Sequence, residues 1–222
     1  MPTAKPKRRI KQPHEVRGPK GGKINWRKPP KPNAMCTWSK KDKYGRTIKG
    51  SFRTLCHLNR LNNLALAKFG KEITVIQPDW NTGVAASKGT HDYDSVFDVW
   101  INGVDPWVQQ KFFRANGFWC WVRKPPLFGW HIHGGTLPPR EGRSISDDYK
   151  VHGFKVGIYV DGGYSTRGGL VTSSQLADYY NHAFGLSDQH TAGSDRSWYP
   201  KNIEATIFDL NAYVARRAKL AA

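Results

Sequence analysis

The chain has 222 residues, 38% of them hydrophobic, and carries 35 Lys and Arg against 17 Asp and Glu, a formal charge of +18 and a pI near 10.0. That length, with 9 Trp, 10 Phe and 9 Tyr, supplies a single core, so one domain plus an appendage is expected. The charge makes an acidic polymer the natural partner, while the lack of any run of about 18 apolar residues, or of a leader-like apolar stretch near the start, sets the expectation of a soluble chain without a signal peptide.

The first 34 residues contain eleven Lys or Arg and one acid, Glu15, with Pro and Gly throughout. So little apolar surface does not offset the entropy of ordering, and residues 1–34 are expected to be a disordered basic arm ahead of a folded domain over 35–222. Such an arm grips anionic polymers, nucleic acid among them, by counterion release; a solvated linker is the plainer alternative. Cys36, Cys56 and Cys120 are odd in number and widely spread, which points neither to a disulfide framework nor to a thiolate metal site.

Residues 36–47 read as a polar, turn-rich piece. A core-packing helix is expected over 51–70, with Ser51 as cap, Gly70 as stop and Leu55, Leu58, Leu61 or Asn62, Leu66 and Phe69 on one stripe. His57 on that helix is read as a surface or core-edge residue, not a ligand. Residues 73–77 form a short strand ending at Pro78, and a Gly-punctuated loop carrying Trp80, Asn81, Gly83 and Gly89 delivers the chain to His91. VFDVWI, residues 96–101, is a buried strand with Asp98 inside it. Asp105 and Pro106 open a second helix, which brings Trp107 and Phe112 or Phe113 onto one face before Gly117 ends it. Strands follow at 118–123 and around GWHIHG, giving an α+β order with a small, mostly antiparallel sheet, hairpin-joined strands and flanking helices. The regular core spans about 51–135. Beyond it come a loop, a Gly-rich hairpin, a short capped helix and a closing amphipathic helix with Ile203, Ile207, Leu210 and Val214 on one side.

His91 and Asp98 stand seven positions apart, and His131 and His133 fall on one side of a strand because strand side chains alternate. Two imidazoles and a carboxylate are the donor set of a catalytic zinc ion, with one position left for water. Asp92 and Asp94 compete with Asp98 as ligands. The loop carboxylates are easily solvated, whereas Asp98, between Phe97 and Val99, needs a partner once buried.

In this order and spacing, His91, Asp98 and the His-x-His strand resemble the zinc peptidases of peptidoglycan, the D-Ala-D-Ala carboxypeptidases and L-Ala-D-Glu endopeptidases grouped with lysostaphin-type enzymes and the hedgehog domain. The seven-residue spacing favours the D-Ala-D-Ala branch over the lysostaphin type, in which the corresponding position is Ser95. The commonest motif differs at Gly89, Asp94 and Val96, and the Glu that many members carry three residues before the last ligand is Trp130 here. The resemblance implies Zn2+ held by His91, Asp98 and His133, with His131 assisting the reaction and Gln77, with Asn81 behind it, steadying the substrate carbonyl. It further implies a phage endolysin or wall-lytic protein acting on stem peptides, held in the host cytoplasm before lysis or carried in a virion. Asp195 and Trp198 are candidate substrate contacts, and the basic arm would hold anionic wall polymers. Two readings of other classes stand beside it: a non-catalytic zinc-stabilised wall-binding module, and a nucleic-acid-binding protein whose Trp119, Trp121 and Trp130 stack bases.

Overall fold

The computed structural model describes residues 14–79, 91, 94–123, 125–126, 129–136 and 208–221. Two antiparallel sheets organise them. The first contains β1 (Val16–Arg17), β2 (Met35–Lys41) and β3 (Thr47–Ser51) in the order β1-β2-β3. The hairpin between β2 and β3 is closed by Asp42, whose Oδ1 accepts from the backbone N–H groups of Tyr44 and Arg46 at 2.9 and 2.8 Å, with Gly45 supplying a φ of 80°. This stretch, expected as a turn-rich piece, is a β-hairpin. Its inward positions are Cys36, Trp38, Ile48 and Gly50, so only three large apolar side chains mark an alternation otherwise filled by Lys, Ser and Thr.

The expectation of a disordered arm fails for residues 14–34. From residue 14 the chain is built into the fold: Val16 pairs with Trp38 and is buried, and Glu15 and Ser39 exchange two 2.8 Å hydrogen bonds. Ile24 and Trp26 pack against the core, and Trp26 also sits under the Arg217 guanidinium. Strand pairing satisfies the backbone, and these few apolar residues supply burial that a count of charges overlooks. Residues 1–13 lie outside the described residues.

The second sheet has the order β4-β5-β7-β6, from β4 (Ile73–Gln77), β5 (Val96–Ile101), β6 (Trp119–Arg123) and β7 (His131–Gly135). β7 lies between β5 and β6 and is antiparallel to both, so β5 and β6 run the same way and the helix between them is a crossover. Hairpin connections therefore join β2 to β3 and β6 to β7, while the helix expected between β5 and β6 makes that connection. An α+β fold with small antiparallel sheets and helices holds, divided into two sheets where one was expected.

Helix α1 (Phe52–Phe69) begins where Ser51 accepts from the Thr54 N–H at 3.2 Å and ends at Gly70 in the left-handed conformation. Its Leu55, Leu58, Leu61 and Ala65 are fully buried. Asp105 caps α2 (Pro106–Ala115), whose Phe112 and Phe113 join the same core. The core takes Ile73, Val75, Phe97, Val99, Ile101, Val122 and Ile132 from one face of the second sheet. Alternation then assigns Asp98, His131 and His133 to the opposite face. Helix α3 (Leu210–Leu220) starts at its Asp209 cap and packs on α1, the Asn59 amide donating to the Tyr213 hydroxyl at 3.2 Å. The other elements expected between 137 and 207, with Ile203 and Ile207, lie outside the described residues. None of the described helices is long and apolar enough to cross a membrane.

Candidate metal centre

Register builds the centre. Asp98 in the middle of β5 pairs directly with His133 in β7, and Arg123 of β6 pairs with His131. Directly paired residues share a face, so one carboxylate and two imidazoles meet on the side of the sheet away from the core. On the other flank the pairing of β4 with β5 shifts by one residue between Val75 and Gln77, and this bulge brings Gln77 opposite Asp98. Regular pairing would have opposed Ile76 to Asp98 and left Gln77 on the core face with Val75. A bulge beside a site re-aims a side chain in this way.

His91 reaches the cluster from the long connection between β4 and β5. Its Nδ1 lies 3.2 Å from the Pro78 carbonyl, to which it donates, and its Nε2 lies 3.3 Å from Asp98 Oδ1. His133 places Nδ1 2.7 Å from the same oxygen, and His131 places Nε2 3.6 Å from Asp98 Oδ2 while its Nδ1 donates to the Gly129 carbonyl at 2.7 Å. Backbone carbonyls thus fix the Nδ1–H tautomer of His91 and His131 and leave their Nε2 lone pairs facing the cluster. His133 is turned the other way. Its Nδ1, the nitrogen beside Asp98, serves as a ligand when the ring proton sits on Nε2.

Asp98 is 7% exposed, His91 1% and His133 5%. Burial alone would raise the Asp98 carboxyl, but the His133 and His91 rings beside it outweigh burial and hold the group well below the usual carboxylate range. Asp98 is therefore an anion at any ordinary pH, as a metal ligand must be. Burial pushes His131 below its ordinary value, against the pull of Asp98, so it is a neutral base near pH 7.

One ligand atom from each of His91, Asp98 and His133 falls within 4.8 Å of the others, and these buried residues form a group that could hold a metal ion. Donors at about 2.0–2.2 Å from a tetrahedral ion sit about 3.3–3.6 Å apart. The His91 to Asp98 separation already matches, and the 2.7 Å His133 to Asp98 contact need open by less than 1 Å. Residue types, burial and spacing all fit. The three cysteines are buried and unpaired with one another, and burial pushes the Cys36 thiol up to about 11, which leaves it inert.

Asp94, weighed from sequence as a rival ligand, is spoken for. Its Oδ1 accepts from the Ser51 N–H at 3.1 Å, and its Oδ2 accepts from the Ser51 and Thr54 hydroxyls at 2.9 and 3.0 Å. The expectation that it is solvated fails for the same reason: it is fully buried. Asn81, Asp92, Asp195 and Trp198 lie outside the described residues. Trp130, three residues before His133, is 47% exposed. The Pro78 and Gly129 carbonyls that orient the histidines, and Asp79, leave no mark in the residue pattern, since backbone partners carry no residue signature and Pro78-Asp79 looks like an ordinary turn.

Searches against protein-family models, curated proteins and solved structures each returned no match.

Proposed function

We propose that this chain is a zinc-dependent peptidase that cleaves the stem peptides of bacterial peptidoglycan, of the phage endolysin or wall-lytic kind. The observation that carries this reading is the meeting of His91, Asp98 and His133 in one buried group, with the neutral base His131 beside it. When bound there, zinc supplies a Lewis acid that activates water and polarises the scissile carbonyl. His91 offers Nε2, Asp98 a carboxylate oxygen and His133 Nδ1 as ligands.

The remaining chemistry belongs to the chain itself. His131 takes a proton at Nε2, and the Gly129 carbonyl on Nδ1 keeps the ring oriented while it does so. Gln77, which the β4 bulge pairs opposite Asp98, donates its amide N–H to the oxygen on which charge develops, a role supported by that register. His131 replaces the usual glutamate, because the position three residues before His133 is an exposed Trp. The basic N-terminal segment adds affinity for anionic wall polymers.

Release of new amino groups from purified peptidoglycan tests the proposal. Release should stop with chelator and return with stoichiometric zinc. Zinc-loaded protein that leaves peptidoglycan intact while holding it would favour the non-catalytic wall-binding module.

A further inference from the structure

Behind the metal group lies a second cluster of acids that the proposed chemistry does not use. Asp79 is 2% exposed and Asp94 fully buried, and the bond from the Ser95 N–H to Asp79 draws the two acids together, since Asp94 directly precedes Ser95. Asp79 Oδ2 accepts from the Ser95 N–H at 3.2 Å, while its Oδ1 is buried with no donor facing it. Two neighbouring buried carboxylates, one of them with an unmet acceptor, are costly. A single proton on Asp79 Oδ1 turns that acceptor into a donor to Asp94 and removes one of the two charges. Burial first, and then the charge of Asp94, push the Asp79 carboxyl well above its ordinary value, in keeping with a held proton.

The pair occupies the points where the His91 connection leaves and re-enters the sheet. Pro78, whose carbonyl receives the His91 ring N–H, directly precedes Asp79. Asp79 holds Ser95, the last residue before β5, in a left-handed conformation with φ of 87°, and the Ser95 carbonyl accepts from the Thr136 N–H at 3.1 Å just past β7. Asp94 ties the same turn to the start of α1 through Ser51 and Thr54, and the Thr136 hydroxyl donates to Thr54 at 3.2 Å. The α1 terminus, the end of β4, the start of β5 and the end of β7 converge on these two carboxyl groups.

We propose that Asp79 and Asp94 form one proton-sharing acid–carboxylate pair that positions His91 for the metal. They are positioning residues, acting through the Pro78 carbonyl and the Ser95 turn. The proposal rests on the metal-site reading above and assigns its geometry to a pair that touches neither metal nor substrate.

Its chemistry makes the two acids unequal. Asn in place of Asp79 keeps both bonds, an oxygen for Ser95 N–H and an N–H for Asp94. Asn in place of Asp94 turns an N–H toward donors that Ser51 and Thr54 already present. Zinc affinity of the full chain, measured by competition with a chromophoric chelator, should therefore stay within about 3-fold for D79N and fall about 10- to 100-fold for D79A and D94N, the range typical of residues that orient ligands. Thermal melting without metal monitors folding of each variant, and D79N, which keeps every bond, remains decisive should D79A not fold. Wild-type protein that binds zinc while D79A or D94N binds it equally well overturns this proposal alone, as does a D79N variant weakened as much as D79A. Wild-type protein that binds no zinc overturns the metal-site reading, and the positioning proposal with it.

Discussion

Asp98 receives His91 and His133 on one oxygen and faces His131 with the other, so each histidine's role follows from which nitrogen it turns inward. Changing His133 to Ala should remove metal and activity together. Changing His131 to Gln should leave zinc content unchanged and cost at least about 10²-fold in turnover, the usual loss with a general base. Elemental analysis beside kinetics checks the split, and near-normal turnover of H131Q would put the base elsewhere. Ser95 makes a separate residue-scale case. A non-glycine residue at φ of 87° stores about 1–3 kcal/mol of strain, and its buried hydroxyl has no partner. Ser95→Gly should therefore raise stability by up to about 1 kcal/mol after the entropy that glycine adds to the unfolded chain, read as a higher denaturation midpoint.

At the scale of elements, α1 does more than fill the core. His57, expected at a surface or core edge, is 1% exposed: its Nε2–H donates to the Asn116 carbonyl at 3.0 Å and its ring stacks on Phe208 at 4.8 Å, joining α1 to the end of α2 and the start of α3. Burial, outweighing the Asn116 bond, pushes it down to about 3. A histidine depressed in the folded state binds its proton first in the unfolded chain, so its contribution is complete above about pH 6.5 and is lost as pH falls toward 3. Acidification from about pH 6.5 to 4.5 should therefore lower the melting temperature through His57, against the opposite pull of Asp79, whose raised carboxyl keeps its proton in the fold. His57→Gln, which can keep the Asn116 bond without titrating, should remove that loss, leaving the share that the depressed His131 contributes in the same direction and the opposite share of Asp79. An unchanged slope would remove His57 as its source.

Across the whole molecule, the charge and the fold overlap more than the sequence suggested. Deleting residues 1–13 should leave the melting temperature unchanged and weaken attachment to anionic walls, most of all at low salt, where exposed-charge attraction is least screened. Deleting residues 1–34 should also destabilise the fold by a few kcal/mol, since β1, the buried Val16 and the Trp26 packing go with it. Equal melting temperatures for the two truncations would contradict the structured role of 14–34. Legibility followed the strength of local signals. Capped, periodic α1 and α2 were plain from Ser51, Gly70, Asp105 and Pro106, and the inward histidines from strand alternation. The β2–β3 hairpin was masked by its Lys and Thr positions, the Gln77 bulge by the lack of any glycine to mark it, and the Asp79–Asp94 pair by a loop context in which acids are ordinarily solvated. None of those three leaves a local pattern, because each depends on what the fold brings opposite it.

The most direct measurement is the zinc X-ray absorption spectrum of the full chain loaded with one equivalent of metal. Two imidazole nitrogens and oxygen donors at about 2.0–2.2 Å in the wild type, with no zinc retained by His133→Ala, is the expected result. A sulfur shell at about 2.3 Å, or zinc that washes off the wild-type protein, would contradict a centre built from His91, Asp98 and His133.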